Sequence, residues 1–321
     1  MIDISLEGKE PWPEVLSMIP VLERNGVGTA WLACHLFQRE PVARAAAMLA
    51  ASSRLKVALM AMSPYTVHPV YAAMAASTLE EMFPGRVTLC LGVGAPRDLE
   101  AAGVAAPHPL ATLRDAIAVT RALFSGETVR HDGEAFRILG RRLASGPCDV
   151  PIALAASGPK MLELAGEAAD AVLISAAASV PFLRSCLDTV AAGEARSGRR
   201  IRRIGLLYAA VDRDEAAAHA GLKRMLGFIL RGAHHARNIE LGGSVLDQAA
   251  LAAAYAAEDW AAVERLIGDD IVARHAASGR PDQVRARLRE YQAAGLDQLV
   301  LSGLTEAAAL EPLLRDIAGP G

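Results

Sequence analysis

The sequence predicts an α/β fold, a (β/α)8 TIM barrel with insertions. Three observations carry that prediction. Eight short runs rich in Val, Ile and Leu read as strands buried on both faces. Helical patterns separate them, and strands alternating with helices imply crossover connections and a parallel sheet. The other architecture that fits, an open doubly wound sheet, lacks here a topological reversal point and a full dinucleotide fingerprint.

In chain order, the apolar run Ile2 to Leu6 gives the first strand and the pattern Trp12 to Asn25 the first helix. Thr29 to Ala33 and Lys56 to Met62 are the second and third strands, each followed by a helical pattern, Pro41 to Ser52 and Pro69 to Phe83. Val87 to Val93 is the fourth, with a helix at Leu110 to Ser125. Pro151 to Ala155 and Ala171 to Ser175 precede helices Lys160 to Ala168 and Pro181 to Ser197, and Ile204 to Ala210 precedes Asp214 to Arg231. The last unit is "PDQVRARLREYQAAGLDQLVLSG", where Pro281 suits the first turn of a helix, Gly295 its end, and Gln298 to Ser302 the final strand.

Two stretches interrupt the alternation within a chain that otherwise reads as one domain over 1–321. Residues 126–150, containing "RHDGEAFRI", read as an insertion with a small hairpin, and residues 232–279 as a helical insertion. Charged residues are 21% of the chain and the formal net charge is -3, so little favours a phosphate backbone as partner, and no nucleic acid is expected. The basic run Arg196 to Arg203 reads as a solvated loop. No apolar run is long and uncharged enough for a bilayer, so no membrane partner is expected, and "MIDISLEGKEPW" signals neither secretion nor import, which makes the cytoplasm the expected location. The four cysteines match no metal-ligand spacing, and three of them read as small hydrophobes.

Several segments carry candidate chemistry. In "LCLGVGAPRD", Gly92 and Gly94 end a strand without a third glycine; they either let a planar ligand approach the backbone or simply turn the chain. In "LAASGPKMLELAGE", Ala156, Ser157, Gly158 and Pro159 join a strand to a helix N-terminus, where backbone amides suit an anion such as phosphate, or where Gly-Pro is only a turn. Glu7 follows the first strand, and Cys34 and His35 the second. At the C-terminal mouth of a barrel, Glu7 and His35 could share a proton-transfer role; elsewhere they are solvated side chains. "LMAMSPYTVHP" reads as a loop entering a helix. His234 and His235 lack a third ligand, so no metal is expected and the pair reads as surface or substrate-loop residues.

Taken in order, the stretches "LERNGVGTAWLACHLFQREP", "SPYTVHPVYAAMAASTLEEMFPGRVTLCLGVGAP", "RDAIAVTRALFSGETV", "VPIALAASGPKMLELAGEAADAVLIS" and "GRPDQVRARLREYQAAGLDQLVLSG" resemble the luciferase-like monooxygenase superfamily. The branch they resemble is the coenzyme F420-dependent one typified by methylenetetrahydromethanopterin reductase, and nearly the whole chain participates. The resemblance implies a flavin-type ring in the barrel mouth, coenzyme F420 more readily than FMN. It also implies a non-proline cis peptide at Met60-Ala61, with Met62 and Ser63 beside it, and a cofactor phosphate near Ser157, Gly158 and Pro159. The implied cofactor set is Cys34, Met60, Ala61, Met62, Ser63, Gly92, Gly94, Ala156, Ser157, Gly158 and Pro159. Glu7 matches an acidic residue of the reductase branch and His35 the histidine of an Asp-His pair. Here that pair is Cys34-His35, so the carboxylate is missing.

Three readings of function follow. One is an F420-dependent oxidoreductase passing a hydride between the deazaflavin and a small organic substrate, with Glu7 and His35 handling the proton. The second is an FMN-dependent monooxygenase using oxygen, and the third a noncatalytic flavin-binding or deazaflavin-binding protein. A homodimer is expected from the resemblance and from the commonness of symmetric dimers.

Overall fold

The structure, a computed structural model, describes residues 2–174, 177–303 and 307–318. Eight parallel strands follow in chain order: Ile2–Leu6, Thr29–Ala33, Lys56–Met62, Val87–Leu91, Ile152–Ala156, Ala171–Ile174, Arg202–Val211 and Gln298–Ser302. Each pairs with the next, and the eighth returns to the first through Ile4 and Leu301, closing the barrel. The expected (β/α)8 fold is therefore present.

Period-two alternation sorts the strand side chains into two layers. Trp31, Ala33, Ala58, Met60, Cys90, Ala153, Leu173, Ile204 and Val300 fill the barrel interior. The alternate positions, such as Leu32, Leu59, Leu89, Leu154, Val172 and Leu299, pack outward against the helices. At the N-terminal end, buried Asp3 accepts hydrogen bonds from the Thr29 amide, the Trp31 indole and the Gln298 amide group. Burial nevertheless pushes the Asp3 carboxyl up. Trp31 fills this end, whereas Ala33, Ala61 and Ala155 are the small residues toward the mouth, and their size leaves room there.

Helices begin where proline supplies a preset φ and lacks only an N–H that would be unpaired anyway: Pro41, Pro69, Pro109, Pro159 and Pro281 are first residues. Glu40 caps its helix by accepting from the amides of Val42 and Ala43, and His68 caps the next by accepting from Val70.

The structure corrects several boundaries. The fourth strand stops at Leu91, not Val93, because the chain turns through Gly94 at φ +97°. The fifth starts at Ile152, since Pro151 has no N–H for the ladder, and runs to Ala156. Ser175, the expected end of the sixth, lies outside the described residues. The seventh strand extends to Val211 because an unanticipated short strand, Ala277–Gly279, pairs with Ala209–Val211. Two helices were also unanticipated, Pro96–Ala101 and Ala307–Ala318.

Within residues 126–150, Val129–Asp132 and Arg137–Arg141 form an antiparallel hairpin. Residues 232–279 carry four α-helices, Ala236–Leu241, Gln248–Ala256, Trp260–Leu266 and Asp269–His275. Much of the basic run is occupied by carboxylates: Arg196 meets Glu163 and Glu167, Arg200 meets Asp297 and Arg203 meets Glu194. Among the described residues, no helix is long and apolar enough to cross a membrane, and no cluster of side chains could hold a metal ion.

Candidate active site at the barrel mouth

Two cavities adjoin at the C-terminal mouth, where the loops after the strands meet. The first, about 480 Å³, is walled mainly by small and apolar residues from the second to seventh strands and the loops after them. It brings together Cys34, His35, Met60, Ala61, Gly92, Gly94, Ala156, Ser157 and Gly158. The second, about 470 Å³, holds the titratable groups Glu7, Lys9, His35 and Asp98. His35, Met60, Ala95 and Leu206 line both.

The wall between third and fourth strands is built by backbone shape. The Met60-Ala61 peptide is cis, and the ladder register shifts between Leu59 and Met62. The Cys34 amide donates to the Met60 carbonyl, 2.6 Å, and the Gly92 amide to the Met62 carbonyl, 3.3 Å. A Cβ at position 92 would stand 2.9 Å from the Ala61 Cβ, so only glycine lets these two segments approach so closely. Ser63 ties the next turn by donating to the Val93 carbonyl, 2.6 Å.

Three members of the expected cofactor set stand outside the first cavity's lining. Met62 is buried in the outer core, Ser63 serves the turn just described, and Pro159 opens the helix Pro159–Ala168. Ser157 and Gly158, immediately before that helix, are exposed and line the cavity. Gly158 occupies the cap position in extended conformation, so the first-turn amides face the end where an anion would gather.

Cys34 is a neutral thiol. Burial first, and then the Glu40 carboxylate, push it up to about 12, and its S–H donates to the Leu32 carbonyl, 3.6 Å. A carboxylate nevertheless reaches the neighbouring histidine. Asp98, on the short helix Pro96–Ala101, places Oδ2 3.3 Å from Nδ1 of His35. Sequence reasoning missed this residue, although Pro96 followed by an acidic residue in a first turn was a legible helix start.

Glu7 reaches the second cavity with one carboxylate oxygen 3.1 Å from Lys9 Nζ and the other accepting from Ser302 Oγ, 3.3 Å. Tyr208, on the same wall, has its phenol pushed up by burial and by the Glu7 charge. The roof comes from the helix Glu215–Leu230, which presents Arg224, Met225, Phe228 and Ile229 on one face, and from Tyr255 of the insertion. Arg231 braces it, its guanidinium 4.3 Å from the Phe228 ring and 4.1 Å from the Tyr255 ring.

Of the histidine pair, His234 is exposed, as a surface residue would be, but His235 is not. His235 is buried, and burial, then His234 and His275, pull its imidazole down to about 4. The insertion is fastened here to the loop after the sixth strand. Asn238 donates to the Ala177 carbonyl and accepts from the Ser179 amide, and His275 Nδ1, which must donate to a carbonyl, reaches the same Ala177 oxygen at 2.9 Å. The sequence offered no sign that His235, Asn238 and Ile239 turn inward while His234, Arg237 and Glu240 stay exposed.

Comparison with known proteins agrees with this architecture. A family model described as luciferase-like monooxygenase matches residues 3–298. The 5,10-methylenetetrahydromethanopterin reductase of Archaeoglobus fulgidus is 28% identical over 291 residues, covering 88% of this chain and 87% of that protein. The F420-dependent glucose-6-phosphate dehydrogenase of Nocardia farcinica is 27% identical over 327 residues, covering 95% of this chain and 93% of that protein. The structure of coenzyme F420-dependent tetrahydromethanopterin reductase from Methanopyrus kandleri superposes with a TM-score of 0.90 at 22% identity, covering 99% and 98% of the two chains.

Proposed function

The chain belongs to the luciferase-like monooxygenase family, and from that premise and the shape of the mouth we propose an oxidoreductase that uses coenzyme F420 and acts on a small organic substrate. The observation that carries this reading is the pairing of an uncharged, glycine-walled cavity with a second cavity holding acid–base groups, the two joined at Met60, His35, Ala95 and Leu206. The relative named as an F420-dependent glucose-6-phosphate dehydrogenase supports the choice of cofactor.

The residues fit such a cofactor. Gly92 and Ala61 form a wall that a side chain would fill, and Ser157 and Gly158 offer a helix N-terminus to a phosphate. Met60, Ala61, Gly92 and Gly94 would hold the ring, with Cys34 and Ala156 completing its surroundings. When bound, a deazaflavin gives or takes the hydride. The chain supplies the proton side of the reaction. Asp98 orients the His35 ring through Nδ1, leaving Nε2 to exchange protons, while Glu7 faces the substrate cavity with Lys9 and Ser302 fixing its two oxygens. Phe228, Ile229 and Tyr255 give that cavity an apolar side against which a small organic substrate could lie.

We place this function in a single domain with two insertions, acting as a homodimer. The exposed Tyr71, Met74 and Met82 of the helix Pro69–Met82 support association of two copies. Parallel titrations of the apoprotein with oxidised F420 and with FMN test the proposal. Micromolar binding of F420 with FMN at least about tenfold weaker is expected; a preference for FMN, with oxygen consumed on reduction, would overturn it in favour of a monooxygenase.

A further inference from the structure

We propose that Glu10, neutralised by Arg44, is a positioning residue that fixes the loop bearing Glu7 against the loop bearing His35. The inference deepens the proposed function and rests on it for the roles of Glu7 and His35.

The Glu10 carboxylate is buried, with a side-chain exposure of 1%, and its two oxygens take two successive main-chain amides. Glu7 N–H donates to Oε1 at 2.8 Å and Gly8 N–H donates to Oε2 at 3.0 Å. A carboxylate shut away from water needs a counter-charge. Arg44, from the helix Pro41–Ala50 outside the barrel, supplies it through Nη2 at 3.1 Å, itself only 8% exposed. The amides of the loop are thus fixed by Glu10 and its carbonyls by a second arginine. Arg39, on the loop that follows His35, donates from its main chain to the Gly8 carbonyl, 3.3 Å, and from Nη1 to the Lys9 carbonyl, 2.6 Å.

The turn between them leaves no slack. Gly8 has φ +87°, and a Cβ there would lie 3.0 Å from the Gln38 Cβ, so the first-strand and second-strand loops touch at this point. A buried ion pair is a poor source of net stability compared with well-packed apolar residues. Its geometry here, two adjacent amides on one carboxylate, is instead suited to fixing where a neighbouring side chain leaves the backbone. Glu7 leaves it there, toward Lys9, Ser302 and Tyr208, in the cavity also lined by His35, Asp98 and Arg224.

The test compares wild type with Arg44→Lys, which keeps the charge, and with the double variant Glu10→Gln/Arg44→Met, which removes both charges so that no buried ion is stranded. Amide hydrogen exchange at Glu7 and Gly8 and the side-chain carboxyl carbon NMR signal of Glu7, assigned by its loss in Glu7→Gln, are measured together with oxidised F420 binding. In the folded double variant, protection of both amides is expected to fall by about tenfold or more and the Glu7 signal to move or broaden, with F420 affinity unchanged within about twofold. Arg44→Lys is expected to keep the wild-type Glu7 signal. An unaltered Glu7 signal and unaltered amide protection in the double variant would overturn the proposal. Wild-type protein that fails to bind F420 would instead overturn the functional reading, because the amide and carboxyl measurements are made without cofactor.

Discussion

At the scale of single residues, the mouth depends on what is missing as much as on what is present. Gly92 has no Cβ because Ala61 occupies that space, so Gly92→Ala should drive the Met60-Ala61 wall into the cavity. Overpacking of this kind costs about 1–3 kcal/mol. A modest fall in melting temperature is expected, with F420 binding weakened by about tenfold or more in a fluorescence titration; unchanged affinity would remove Gly92 from the cofactor wall. Cys34 makes a different prediction. With its thiol pushed up to about 12 by burial, roughly one molecule in ten thousand carries the thiolate at pH 8, and that fraction rises about tenfold per pH unit below this value. Alkylation of Cys34 in the folded protein should therefore be far slower than after denaturation, as read by peptide mass spectrometry; equal rates would contradict the neutral-thiol assignment. Sequence located both residues but not their surroundings. The motif "WLACHLFQRE" showed Cys34 beside His35, while Asp98, the carboxylate that His35 meets, lies more than sixty positions away and reaches it only when the fourth strand's loop folds over the mouth.

At the scale of elements, the helical insertion behaves as a roof pinned at one end. Asn238 and His275 hold it to Ala177 and Ser179, and His235 is buried beside them. His235 has a folded-state pKa near 4, below its ordinary 6.5, so the unfolded chain takes up the proton first as the pH falls. Its contribution to stability is complete above pH 6.5 and is lost progressively toward pH 4, by at most about 3 kcal/mol. Denaturant unfolding at pH 7.5 and pH 5 should show wild type losing stability at the lower pH, and His235→Leu should lose less. An identical pH dependence in the variant would place the acid sensitivity elsewhere, for example at His275. The sequence identified this stretch as helical without showing its attachment, because a buried histidine bonded across nearly one hundred residues leaves no local pattern.

At the scale of the whole molecule, the barrel was the most legible feature. Apolar runs alternating with helical patterns are read over many residues, and the resulting closure needs only that each strand pair with the next. What escaped were the helix Ala307–Ala318 and two elements too short for a periodic pattern to show, Pro96–Ala101 and Ala277–Gly279. Yet the helix Pro96–Ala101 completes the site by bringing Asp98 to His35, while the strand Ala277–Gly279 extends the sheet at Ala209–Val211. The glycine-walled cavity is proposed as the F420 site and the adjoining one as the substrate site. A crystal structure of the protein grown with oxidised F420 decides this. The ring is expected against Met60, Ala61 and Gly92, with the phosphate at Ser157 and Gly158 and one ring face open to the cavity of Glu7 and His35. A cofactor bound anywhere else, or with its ring turned away from that cavity, would rule out this assignment of the two cavities.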